Sequence, residues 1–300
     1  MATNASFEAL RGRREPHPLI ASLHRLPHLE VPAFSAVIAL AVLFTVVTRS
    51  PQTSFDPAPV HAAPFGEVWI ATRTTATNLA SLDAPTSMTF LGGSTSFGLG
   101  GWGSAAPAVA WASEARFADD LLAGRVPSDV RVVMYDPEAW AATPVDEQAD
   151  PVASMRAFGH LARSHGYLAV ITPHPNLATV HDAACGARPG EALEDAFLRC
   201  GIEGEAARYA DVVEVQAQSL EGDPATYRRF VTAAAAQARA ANPGVLVLSG
   251  LSTNYASDPS TLYDAWRSVL GTVDGHYLNV PHGRRPEIAI AFLRLVNAGG

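Results

Sequence analysis

The stretch RVVMYDPEAW, residues 131–140, decides how this chain is read. It opens as a buried strand, Val132, Val133 and Met134, and closes on two carboxylates two residues apart, Asp136 and Glu138. Alternate side chains of a strand share a face. Met134, Asp136 and Glu138 are therefore expected to point one way, apolar below and acidic at the rim. Pro137 has no N–H to give to a central strand. The strand ends there and leaves the acids at its C-terminal lip, where parallel α/β enzymes carry their chemistry.

Working outward, apolar runs of the same kind recur at 67–72, 88–91, 168–172, 211–216, 245–249 and 275–279. Their near-continuous Val/Ile/Leu character is that of strands covered on both faces. Helices are predicted between them. Asp150-Pro151, Asp223-Pro224 and Asp258-Pro259 each set an N-capping Asp before a Pro at the first helical position. The helix after Pro151 is predicted to bury Val152, Met155, Phe158 and Leu161, and the one after Pro224 to bury Tyr227, Phe230, Val231 and Ala234 before stopping at Asn242-Pro243-Gly244. A last helix, from Pro286, is predicted to bury Ile288, Phe292 and Leu295.

Strand–helix alternation means a parallel sheet with right-handed crossovers. The predicted fold is α/β, a TIM-type (β/α)8 barrel or an incomplete (β/α)7 barrel over residues 65–300, close to the ~250 residues usual for that fold. Seven strands are counted, and an eighth has room within 177–210 or around 108–111. A doubly wound open sheet is the alternative. It lacks its phosphate fingerprint, because Gly92-Gly93-Ser94 and Gly98-Leu99-Gly100-Gly101 do not have the spacing.

The flanks differ in kind. Residues 1–30 are polar and basic, with Arg11, Arg13, Arg14 and Arg25, and read as a cytoplasmic tail. Residues 31–48 carry no charge and read as a transmembrane anchor or a signal-peptide core. Arg before the run exceeds Arg after it, which places the C-terminal domain outside the cytoplasm. Val60-His61-Ala62 suits a signal peptidase but lies far past the apolar run, so anchor and cleaved signal both stay open. Residues 49–64 are a Pro/Ala-rich linker. Export makes Cys185 and Cys200 an expected disulfide rather than two separate buried thiols.

Composition narrows the chemistry. The formal net charge of −8 argues against a nucleic-acid partner. All 21 basic residues are Arg, so no lysine Schiff base can form. No cofactor is expected.

On one face of each strand the residues turn polar toward the C-terminal end: Asp136 and Glu138; Thr172, His174 and Asn176; Glu214, Gln216 and Gln218; Tyr277 then Asn279. In a closed barrel those faces converge on one mouth. Glu214 lies among Val212, Val213 and Val215, and a carboxylate there costs several kcal/mol unless partnered. Two acids on different strands suit glycoside hydrolysis, with Glu138 as general acid, Glu214 as nucleophile or base and Asp136 modulating Glu138. His174, Asn176, Gln216, Gln218 and Asn279 are candidate substrate-binding residues, and Trp140 and Tyr255 are candidate stacking platforms. Each has a plainer reading. Asp136 can cap a turn, as the other Asp-Pro pairs do; His174, between Pro173 and Pro175, can be a rigid-loop residue; a lone aromatic can simply pack.

Over residues 65–300 the chain resembles secreted bacterial (β/α)-barrel proteins of the glycoside hydrolase-like superfamily. Asp136-Pro137-Glu138 resembles the closing Asp-x-Glu of chitinase-type hydrolases. The resemblance implies that Glu138 is the proton donor and that Asp136 orients a substrate acetamido group. Met134 and Arg131 stand where that motif carries further acids. The leading expectation is an extracytoplasmic glycoside hydrolase-like barrel acting on carbohydrate, tethered to a lipid bilayer. The alternatives are a non-catalytic glycan-binding barrel, and a divalent-metal hydrolase using Asp136, Glu138, His174 and Glu214 without a His-x-His or His-Glu-x-x-His spacing.

Overall fold

A computed structural model describes residues 68–71, 89–92, 106–180, 185–281 and 285–299. The tail, apolar segment and linker expected over 1–64 lie outside the described residues. Among the described residues, no helix is long and apolar enough to cross a membrane.

The strands are β1 (Val68–Ala71), β2 (Thr89–Gly92), β3 (Ala106–Trp111), β4 (Val132–Tyr135), β5 (Leu168–Ile171), β6 (Val212–Val215), β7 (Leu246–Ser252) and β8 (Gly275–Asn279). Each pairs in parallel with the next, and β8 returns to β1, so the sheet closes into an eight-stranded barrel. The eighth strand is β3, in one of the two places left for it. Register sets Met134 beside Val170, Val170 beside Val212, Glu214 beside Leu248, and Gly250 beside Tyr277.

The period of two splits the core into two bodies. Ala108, Val132, Met134, Val170, Val212 and Leu248 meet inside the barrel. Val133, Tyr135, Ile171, Val213, Val215 and Val247 face outward and pack with Met155, Phe158, Tyr227, Phe230 and Phe292 of the helices.

The helices are α1 (Glu114–Leu122), α2 (Val145–Ala149), α3 (Pro151–Ser164), α4 (Leu193–Cys200), α5 (Ile202–Tyr209), α6 (Pro224–Ala241), α7 (Pro259–Ser268) and α8 (Pro286–Gly299). All three Asp-Pro starts cap as expected. Asp150 accepts from Ala153 N–H at 3.0 Å, Asp223 from Ala225 and Thr226, and Asp258 from Ser260 and Thr261. Each such cap contributes about 1 kcal/mol. In α8 the packed stripe is Ile288, Phe292 and Val296, at the four-residue spacing of one helix face. Leu295 is one step round from it and stays 40% exposed, against expectation.

Glu147 is a buried acid with a purely local role. It accepts from Ser113 Oγ, from the Glu114 and Ala115 N–H groups and from the Tyr135 hydroxyl, at 2.7–3.2 Å. The carboxylate thus sits on the N-terminus of α1, where the helix dipole favours a negative charge, and ties that helix to the outer face of β4.

Cys185 and Cys200 form a disulfide, with Cα atoms 5.5 Å apart. It joins the long connection after β5 to the end of α4.

Candidate functional site

The site is built at the C-terminal ends of neighbouring strands. β4 runs one bond past its last strand residue, since Asp136 N–H donates to the Trp111 carbonyl at 2.9 Å. Pro137 then ends the ladder. The Asp136 side chain turns into the barrel rather than capping a helix. Its Oδ1 accepts from Thr172 Oγ1 at 2.9 Å and from Gln216 Nε2 at 2.7 Å. Gln216 Nε2 also donates to the Thr172 carbonyl at 2.6 Å. The ends of β4, β5 and β6 are thereby tied through one carboxylate. Burial pushes the Asp136 carboxyl up, while the two donors pull it back toward the charged form.

Glu138 is half-buried just beyond. Loss of water and then the charge of Asp136 push its carboxyl up to about 7. Glu214 lies deeper, 1% exposed, with Oε1 accepting from Gln218 Nε2 at 3.1 Å. Burial, and after it the charges of Asp136, Glu203 and Glu138, keep Glu214 well above the usual carboxylate range. That rise favours the protonated form, which weighs against the nucleophile or base role expected of it, because a neutral acid supplies neither a lone pair of carboxylate strength nor a proton acceptor. Room for it comes from Gly250 on β7: a Cβ there would overlap Glu214 Oε1 and the Gln218 amide.

Tyr277 on β8 faces the same interior. Burial and then Asp136, Glu214 and Glu138 push its hydroxyl well above the ordinary value, so one phenol feels all three acids. The sequence places Tyr277 on the polar face of β8 but gives it no role in the site. Asn279 is half-buried at the end of β8, and its carbonyl accepts from Thr253 N–H at 3.1 Å.

Two expected binding residues are used elsewhere. β5 stops at Ile171, and Pro175–Thr179 forms a 3-10 turn, so the strand face was extended too far. His174 caps that turn, its Nδ1 accepting from Asn176 N–H at 3.1 Å. Burial lowers its pKa, which favours the neutral ring. Asn176 Oδ1 accepts from Ala139 N–H at 2.9 Å. Both residues brace the loop that carries Glu138. Trp140 is 45% exposed and donates through Nε1 to Thr143 Oγ1, and Tyr255 is 57% exposed on the loop after β7.

Besides Glu147, two buried acids were missed. Glu203 on α5 is fully buried, without a hydrogen bond to either oxygen among the described residues, and burial pushes its carboxyl well above the usual carboxylate range. It lies beside Ile202, Ala206 and Ala207, so the helical period alone placed it on the packed face. Glu221 accepts from Ser252 N–H, and its carboxyl is pushed up to about 9 by burial. It follows the short turn Gln218–Leu220, where no periodicity could signal it.

Among the described residues, no group of three or more His, Cys, Asp or Glu is arranged to hold a metal ion. A surface cleft of about 660 Å³ lined by Arg163, Tyr209, Asp211 and Asn242 opens at the other end of the barrel, where the strands begin.

The fold defines the class: a closed, all-parallel eight-stranded barrel, with helices described after β3 to β8 and its acids at the C-terminal mouth. No protein-family model matches the chain, and no curated protein matches it in sequence. Solved structures similar to it are barrel enzymes. The carboxyl transferase domain of Rhizobium etli pyruvate carboxylase is 11% identical over 79% of this chain and 47% of that one, with a TM-score of 0.43. A Schiff base-forming fructose-1,6-bisphosphate aldolase is 12% identical over 79% of this chain and 95% of that one, TM-score 0.45. A 2,3-dimethylmalate lyase of the PEP mutase/isocitrate lyase superfamily is 12% identical over 79% and 83%, TM-score 0.35. At these values the barrel rests on the strand order itself.

Proposed function

We propose that the mouth is the active site of a glycoside hydrolase-like enzyme, with Glu138 as its general acid. The observation that carries this reading is the Glu138 carboxyl itself, half-buried beside Asp136 and raised to about 7, which leaves it a proton to give at neutral pH. The proton would pass to the glycosidic oxygen as the bond from that oxygen to the sugar carbon breaks; a water would then bond to the sugar carbon and give its proton to the Glu138 carboxylate, restoring the acid. Asp136 is the charged neighbour that keeps the proton on Glu138 and offers Oδ2 to a substrate N–H or O–H. Glu214 and Tyr277 lie beneath them in the barrel, both shifted toward their protonated forms.

The ligand mode fits carbohydrate: carboxyls and amides to bond hydroxyls, with Trp140 and Tyr255 exposed at the rim for stacking. That aromatic exposure equally favours a second reading, a barrel that binds glycan without cutting it. We place the domain outside the cytoplasm, tethered or released by the 31–48 segment. The Cys185–Cys200 disulfide supports this, since such bonds persist mainly in oxidising compartments.

The test uses the purified protein against chromogenic aryl glycosides, N-acetylglucosaminides among them, and against the matching oligosaccharides. Glu138→Gln should lose on the order of 10²–10⁴-fold in kcat/KM with its circular dichroism unchanged. Full activity in that variant rejects the assignment. Oligosaccharide binding with no turnover in the unaltered protein selects the second reading.

A further inference from the structure

Glu138 stands on a segment, 137–140, that belongs to no helix or strand. Its direction is therefore set by whatever holds that segment. Four bonds to its backbone do so from outside it. Glu138 N–H donates to Thr143 Oγ1 at 3.2 Å, His174 N–H to the Pro137 carbonyl at 3.1 Å, Ala139 N–H to Asn176 Oδ1 at 2.9 Å, and Gln148 Nε2 to the Trp140 carbonyl at 2.8 Å. Two of these reach across from the connection after β5. Asn176 is the side chain among them, and it is itself fixed, because its own N–H donates to His174 Nδ1. The turn that carries it is pinned in turn by Ala187 N–H on the Ala178 carbonyl at 2.8 Å, two residues beyond the Cys185 disulfide.

We propose that Asn176 is the positioning residue of Glu138: through the Ala139 N–H it holds the 137–140 segment so that the Glu138 carboxyl stays at the rim beside Asp136. The choice of side chain has a physical reason. A hydroxyl or methyl at 176 is too short to replace the amide oxygen, and a carboxylate would bring another negative charge toward Glu138. Asn supplies an acceptor with no charge. The proposal rests on reading Glu138 as the working acid, but its structural content stands without turnover.

The groups that face Glu138 are Asp136 at the end of β4, Glu214 on β6 and Tyr277 on β8. Releasing the segment lets the carboxyl swing into water and away from these groups, which lowers its titration midpoint.

The experiment follows the side-chain carboxyl carbons of the full-length protein by NMR after 13C-glutamate labelling, with the Glu138 signal identified by its loss in Glu138→Gln. In the unaltered protein the midpoint is expected near 7. Asn176→Ala should lower it by about one unit or more. Asn176→Asp, which keeps an acceptor for Ala139 and adds a charge, should leave it unchanged or raise it. A merely structural role for residue 176 would move both variants alike. An unchanged midpoint in a folded Asn176→Ala, or a fall in Asn176→Asp equal to that in Asn176→Ala, overturns the proposal. If Asn176→Ala does not fold, Asn176→Ser, too short to reach Ala139, is read by the same criterion. No substrate enters the measurement, so absence of hydrolysis would remove the enzyme reading and leave this result intact.

Discussion

Glu214 and Gly250 share one space: the Glu214 Oε1, with the Gln218 amide behind it, fills the position into which a Cβ at residue 250 would project. Gly250→Ala is therefore an overpacking change in the barrel interior, expected to destabilise by about 1–3 kcal/mol in urea unfolding. Adding Glu214→Ala removes the nearer of the two groups in the way and leaves the Gln218 amide free to shift. The double variant should be less destabilised than the two single changes summed, and strict additivity would show that the two residues do not meet.

Glu221 makes stability fall as pH rises. Its folded-state value is raised from 4.5 to about 9, so its contribution is complete below the unfolded value and is lost through that window, as the unfolded chain ionises and the fold cannot. Each pH unit there costs at most about 1.4 kcal/mol. Glu221→Gln keeps the acceptor for Ser252 N–H and cannot ionise. It should be more stable than the parent at pH 8 and no more stable at pH 4, measured by urea unfolding at both.

Removing the disulfide should cost on the order of 3 kcal/mol, given its sequence separation of 15. Local contacts remain: Arg199 pairs with Glu191 at 2.7 Å and donates to the Gly186 carbonyl at 3.0 Å. Reduction or paired Cys→Ser replacement is thus expected to lower Tm while the barrel's far-UV dichroism persists. Loss of all secondary structure would mean that the bond holds the whole domain and not one connection.

Asp136→Asn removes the nearest charge acting on Glu138. The Glu138 midpoint should fall below about 7 yet stay above 4.5, because burial, the larger cause of the shift, is untouched. In the proposed reaction the alkaline limb of kcat/KM should move down by the same amount. A limb that does not move assigns it to another group.

The barrel was largely legible because buried strands announce themselves as continuous apolar runs and Asp-Pro pairs announce helix starts. β3, sequence APAVAW, was hard to see for the opposite reason. Alanines carry little strand preference, and Pro107 argues against a central strand, although it pairs there with Gly92. Asp136, Gln216 and Gln218 were legible as polar residues in phase with apolar ones on β4 and β6, and the bonds among them connect that phase across strands. His174 and Asn176 were misplaced because the alternation was carried past Ile171, where prolines on both sides of residue 174 turn the chain. What no pattern could supply was depth. Glu138 and Glu214 look alike in sequence, yet Glu138 is half-buried and Glu214 almost wholly buried, and that difference sets how far burial raises each carboxyl.

Closure of the sheet has a further result. With β8 bonded to β1 from Val68 beside Gly275 to Ala71 beside Leu278, no strand of the ring offers a bare row of N–H and C=O groups to another chain. Two copies of this domain cannot extend one another's sheets. Among the described residues, self-association and aggregation of the folded form are left to the helix flanks and to the loops around the two openings.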